Sequence, residues 1–254
     1  MDFIPGRAIF EQRSEFNQPR HFILALLTIL VVAALAIWFF RLVDGLFWAS
    51  TLVTQALVMW AGLAILSPVI LRRDDFKARW GKRAYAMAFR WLGIPGLTLV
   101  GVGAAHFAFI EGARIVPREA QAILCTYLFA SGFLLWLRAI ITFGIDNLTL
   151  VYVYYPAESR LVEAKVYSVV RHPIYSAALR VIFALIVLNG SSFALFAGVM
   201  APLSMWVWVH FVEERELLER FGGGYRDYRR RVPAFFNLDP RTWATLWRFL
   251  IIGR

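Results

Sequence analysis

Apolar runs of about twenty residues, separated by short charged or glycine-containing breaks, organise the chain. They predict six membrane spans, roughly Phe22 to Phe40, Leu46 to Leu71, Gly93 to Ile110, Ala120 to Phe143, Ile174 to Leu188 and Phe193 to Val212. Residues 1–20 are polar and predict a surface segment. Arg41, Asp44 and Gly45 predict a tight turn, the charged stretch 72–90 a loop, and the NGSS run at 189–192 a hairpin turn. The third run is rich in glycine (Gly93, Gly96, Gly101, Gly103), which lets a neighbouring helix approach closely. Residues 144–172 are mixed, and the tail is charged as far as Pro233. The closing stretch carries Trp243, Leu246, Trp247 and Ile251 at the spacing of an amphipathic helix lying on a membrane, and Arg138 reads as a snorkelling side chain.

The expected fold is an all-α integral membrane protein of about six transmembrane helices. Residues 1–143 form an N-terminal membrane region of about four of them. Residues 144–254 form a C-terminal region with a transmembrane hairpin at 174–212 and a charged tail. There is no internal repeat.

Composition sharpens this picture. Hydrophobic residues make up 60% of the chain, above the half expected of a soluble domain. The net charge of +10 would suit nucleic acid, but the Lys and Arg lie between the apolar runs, so membrane lipids are the expected partner. Cys125 is alone and lies inside an apolar run, so neither an internal disulfide nor a metal site is expected. No cleavable signal peptide is evident. With the N-terminus placed in the cytoplasm, the cytoplasmic segments hold 22 Lys and Arg: three in the N-terminal tail, seven in 72–90, three in 144–173 and nine in the C-terminal region. The opposite face holds only Arg41, Arg114 and Arg118. The positive-inside rule therefore predicts both termini in the cytoplasm, and the inner membrane if the source is bacterial.

Two polar clusters then fall on the cytoplasmic face. The first is SRLVEAKVYSVVRHPIY, Ser159 to Tyr175. Pro173 suits the first turn of a helix, so Arg171 and His172 stand at a helix entrance whose N–H groups favour an anion. The second runs from Phe211 to Pro233 and begins with the Glu213–Glu214 pair, carboxylates that are costly at a membrane-helix end unless solvated or paired. Glu216 and Arg220 read as an i,i+4 support pair. On an ideal helical projection, Glu213 shares a face with Trp206, Val209 and His210. A hairpin would bring His172, Tyr175 and Glu213 to one interfacial pocket, open to the cytoplasm for a polar ligand and to the bilayer for a greasy one. His106 reads as a packed or hydrogen-bonded helix residue.

Leu161-Val162, Tyr167, Arg171-His172-Pro173 and Tyr175, followed by Glu213-Glu214, Leu217, Phe221-Gly222, Tyr225, Tyr228 and Val232-Pro233, resemble a known pattern. It is that of the isoprenylcysteine carboxyl methyltransferases and their phospholipid N-methyltransferase relatives. The resemblance covers about 75 residues, 159–233. It implies methyl transfer from S-adenosylmethionine to a lipophilic or small amphiphilic acceptor: an isoprenylcysteine-like carboxylate, a lipid amine or a thiol. It implies cofactor contacts from Ser159, Arg160, Leu161, Val162, Tyr167, His172, Pro173, Ile174, Tyr175 and Glu213. If the acceptor must lose a proton, Glu213, Glu214 or His210 is the candidate base. Ser159, Lys165 and Ala177 depart from the pattern, and Val209 stands where many relatives carry an arginine. Arg180, inside span five, is the candidate to hold an acidic acceptor head. Two other readings stay open. One is a membrane reductase of the sterol-reductase type using a nicotinamide cofactor. The other is a non-catalytic binding or scaffold protein.

Overall fold

The computed structural model describes residues 9–10, 13–15, 18–47, 50–144, 146, 148–237 and 239–253. The first part of the polar N-terminal segment lies outside these residues. The described chain is helical, with a single isolated bridge and no strand, as expected of an all-α membrane protein. Its helices are α1 (Pro19–Val43), α2 (Ser50–Leu71), α3 (Arg73–Trp80), α4 (Ala84–Ala88), α5 (Ile94–His106) and α6 (Arg118–Phe143). The second half holds α7 (Val151–Tyr154), α8 (Pro173–Asn189), α9 (Ser192–Ala197), α10 (Met200–Trp208), α11 (Glu214–Arg231) and α12 (Pro240–Ile251).

Five helical stretches are long and apolar enough to cross a membrane: α1, α2, the run from α3 to Phe109, α6, and the run from α9 to Arg231. Large apolar side chains face outwards on them, such as Trp38 (60% exposed) and Ile123 (70%), the positions lipid would cover. The sixth expected span, α8, has only 17 residues. Yet it packs along α6 for most of its length. Ile174 and Ala177 join the Leu135 and Ala139 cluster near one end of α6. At the other end Ser192 N–H donates to Ala113 (2.9 Å) and Ile115 N–H to Gly190 (3.0 Å), beside the start of α6. Gly132 of α6 makes this pairing close: a Cβ there would sit 3.1 Å from the Ala177 carbonyl.

Glycine also sets the α2–α5 contact. A Cβ on Gly62 would lie 2.9 Å from the Gly96 carbonyl, and one on Gly96 the same distance from the Gly62 carbonyl. Near the far end of this pair His106 is fully engaged. It lies 2.8 Å from both Asp44 and Gln55 and stacks on Phe40 at 3.6 Å.

The structure corrects three expectations. The 72–90 stretch is largely helical, and Arg73 reaches Glu219 (3.1 Å) and Glu216 (3.5 Å) on α11. Arg138 donates to the carbonyls of Leu250 (2.9 Å) and Ile251 (2.8 Å), capping α12 rather than reaching towards headgroups. Last, α10 runs into α11 through a widened π-turn at Val209–Glu213. The helical run that starts at Ser192 continues past the hydrocarbon thickness to a kink at Gly222, where the chain turns. Its apolar part ends at Val212, and the charged remainder stands beyond the membrane.

Candidate functional site

The π-turn decides which side chains meet. An inserted residue rotates everything beyond it by about 100°. Glu213 and Glu214 therefore both reach the His172 ring, from its two sides. Glu213 Oε1 lies 3.4 Å from Nδ1, and Glu214 Oε1 lies 3.4 Å from Nε2. The same rotation separates His210 from Glu213. His210 is exposed and stacks on Trp206 at 5.2 Å, so the shared face expected from an ideal projection does not form.

Glu214 faces the scaffold. Arg171 donates to its Oε1 from Nη2 (2.6 Å) and Nε (3.2 Å), and Tyr225 Oη donates to the same oxygen (3.3 Å). Arg171 Nη1 further donates to the carbonyls of Arg229 (3.1 Å) and Val232. The tail is thereby folded back onto the RHP turn. Arg171 and His172 N–H groups donate to the Pro233 (2.9 Å) and Ala234 (3.0 Å) carbonyls. These two amides, expected to receive an anion, are already satisfied by the chain's own tail.

Gly222 makes the fold-back possible. Its φ of +57° and ψ of −124° put a kink inside α11 that a side-chain-bearing residue would resist. Beyond it, Tyr225 returns to Glu214, and Tyr228 Oη donates to the Tyr167 carbonyl (2.6 Å).

His172 is buried with both carboxylates against it. Burial alone would lower the imidazole's pKa, but Glu213 and Glu214 together outweigh it and hold the pKa above its ordinary value. The sign for stability follows: the contribution is complete below the ordinary 6.5 and is lost as pH rises through the raised value. His172→Gln should therefore lower Tm most below pH 6.5, with the gap to wild type closing at alkaline pH. Thermal unfolding in detergent across a pH series measures this. A gap constant with pH would mean that the imidazolium contributes nothing.

A cavity of about 260 Å³ lies over these residues. Its polar end is walled by Arg160, Tyr167, Arg171, His172, Glu213, Glu216, Arg220 and Tyr225. Its apolar end runs between the spans, past Met59, Leu63 and Leu66 of α2, Leu97 and Val100 of α5, and Ala201 and Met205 of α10. Leu161, Val162, Pro173, Ile174 and Tyr175 also line it, and Trp208 Nε1 donates to the Tyr175 hydroxyl (3.1 Å). Four expected site residues are off the wall. Ser159 closes a local turn through Pro156 (2.7 Å). Glu214 stands behind Glu213, and His210 faces outwards. Arg180 donates to the Ser176 carbonyl (3.3 Å) and lies 5.9 Å from the Phe236 ring.

The sequence reading did not place Arg220 or the α2 and α5 side chains in the site. Arg220 could have been found, since seven residues after Glu213 is the same helix face. Nothing in spans two and three marks Leu63 or Val100 as cavity-lining rather than core.

Residues 120–223, from the start of α6 to just past the Gly222 kink, match the model of the phospholipid methyltransferase family, PEMT. This is a family of membrane methyltransferases related to those whose motifs are read above, and the match covers 104 of the 254 residues. The match favours methyl transfer over the reductase and scaffold readings. No curated protein and no solved structure matches the chain.

Proposed function

We propose that the protein transfers a methyl group from S-adenosylmethionine to the polar head of a lipophilic acceptor, with the reaction centre at the cytoplasmic membrane interface. One observation carries this reading. The cavity joins a charged mouth at His172 and Glu213 to an apolar shaft between α2, α5 and α10. A greasy tail fits only the second part and a charged ligand only the first. The 22 to 3 split of Lys and Arg supports the cytoplasmic placement of the mouth.

The residues fit the cofactor. Glu213 Oε2 is buried in the site and has no partner there, which suits the cofactor's ammonium. Tyr167 and Tyr175 present ring faces suited to an adenine or a sulfonium. When bound, the cofactor supplies an electrophilic methyl group for in-line displacement. The protein's part is positioning and exclusion of water: Trp208 fixes Tyr175, and the folded-back tail closes the site behind His172. A carboxylate or thiolate acceptor needs no base. An amine acceptor must lose a proton, and Glu213 is a carboxylate on the cavity wall that could take it. Because residues 120–223 match a family named for phospholipids, a lipid amine is the first acceptor to test.

Purified protein given methyl-labelled S-adenosylmethionine and membrane lipid extract should move label into the organic phase, and Glu213→Ala should reduce this at least about a hundredfold. Label that stayed in the aqueous phase, with lipid and small-thiol panels alike, would sink the proposal.

A further inference from the structure

Arg220 carries a second consequence, which rests on the cofactor reading above. Its side chain is 9% exposed and lies on the cavity wall. Nη2 donates to Glu216 Oε2 (2.9 Å), but Nε and Nη1 are buried without an acceptor among the described residues. Glu216 is shared with Arg73, whose Nη1 lies 3.5 Å from its other oxygen. A guanidinium stays charged inside a protein, so a side chain on the cavity wall holds two buried, unanswered donors. Two turns earlier on the same helix, Glu213 Oε2 is a buried, unanswered acceptor on the same wall. Seven residues rise about 10 Å, and both side chains are long enough to reach towards a ligand between them.

We propose that Glu213 and Arg220 form a cradle for an α-amino-acid zwitterion, the methionyl end of the cofactor, with Arg220 holding its carboxylate. The N–H groups of Arg171 and His172 are taken by Pro233 and Ala234, and His172 is flanked by two carboxylates. An anion is therefore better received at Arg220 than at the helix entrance. The order of charges along the helix also selects among zwitterions. From the apolar shaft at Ala201 and Met205 the helix passes Glu213 first and Arg220 last. A phospholipid head attached to its tails through phosphate would need the cation nearest the shaft. An α-amino acid carries both charges on one carbon, so its ammonium can meet Glu213 and its carboxylate Arg220 without the fixed head-to-tail order that a phospholipid imposes.

The test is calorimetry on full-length protein in detergent, with S-adenosylmethionine and its decarboxylated analogue. Wild type should prefer the intact cofactor roughly ten- to a hundredfold, the worth of a hydrogen-bonded charge. Arg220→Gln should lose that preference while binding the analogue as well as wild type does, which also shows that the variant is folded. Arg220→Lys should recover part of it. Equal weakening of both compounds, or unchanged cofactor binding with weakened capture of phosphatidylethanolamine from nanodiscs, would overturn the cradle. Wild type that bound neither compound would overturn the cofactor reading itself, and the cradle with it.

Discussion

Glu214→Ala should destabilise the protein by about 3–5 kcal/mol, the cost of stranding a buried charge. Glu214 is a buried carboxylate that answers three cations: Arg171 at 2.6 Å, His172 at 3.4 Å and Arg229 at 3.4 Å. Its loss leaves the Arg171 guanidinium, whose side chain is 9% exposed, with backbone carbonyls alone, and removes an acceptor from Tyr225. Arg171 also joins α11 to the tail, so the damage spreads to the fold-back that closes the site. The physical claim is pairwise and can be isolated. In a double-mutant cycle with Arg171→Ala, the two changes should fall short of additivity by about 0.5–3 kcal/mol, because the second removes a charge that the first has already stranded. Unfolding by denaturant in micelles gives all four corners. Strict additivity would mean that the two side chains share no interaction despite their 2.6 Å contact.

Gly62→Val should be comparably severe, for a steric reason. Even the first carbon of a side chain at Gly62 would meet the Gly96 carbonyl and the Val100 nitrogen, both at 2.9 Å. These are backbone atoms, which cannot swing aside. The α2–α5 pair must separate, at about 1–3 kcal/mol for alanine and more for valine. Leu63 and Leu66 on one helix and Leu97 and Val100 on the other line the shaft, so separation also deforms the cavity. Gly101→Ala is the control. No atom of the described residues lies within 4 Å of a Cβ there, and a helical Gly→Ala change with room to spare should gain roughly 0.5–1 kcal/mol. The same micelle unfolding assay decides. If Gly62→Val and Gly101→Ala behaved alike, close packing of α2 on α5 would not hold the bundle.

The contrast between these glycines shows what the sequence could convey. Long apolar runs announced the spans because solvent imposes the pattern residue by residue, and glycine in span three announced a close neighbour. It could not say that Gly62 of α2 was the neighbour or that Gly101 has none. Likewise the motif residues around His172 and Glu213 were legible as motifs. The amide bonds from Arg171 and His172 to Pro233 and Ala234 were not, because that partner lies some sixty residues away and acts through its backbone. The π-turn left no local mark either. Val209 to Glu213 reads as ordinary helix, and the extra residue shows only in which side chains it turns towards His172. Projection with a uniform period therefore put His210 on the wrong side and left Glu213 and Glu214 undecided. Arg138 was misjudged for a related reason, and Arg220, paired with Glu216 as read, was not placed in the site. A long cation near a membrane surface suggests solvent, yet here one caps α12 and the other lines the cavity.

The brevity of α8 has a consequence for the surrounding lipid. Seventeen residues rise about 25 Å, some 5 Å less than a typical hydrocarbon slab. The Asn189–Ser191 turn is tied by hydrogen bonds to the 110–115 segment and cannot simply extend outwards. The mismatch must fall on the bilayer, which thins beside α8 at a cost of fractions of a kcal/mol per Å. That cost grows with acyl-chain length, so the protein should be more stable in thin membranes than in thick ones.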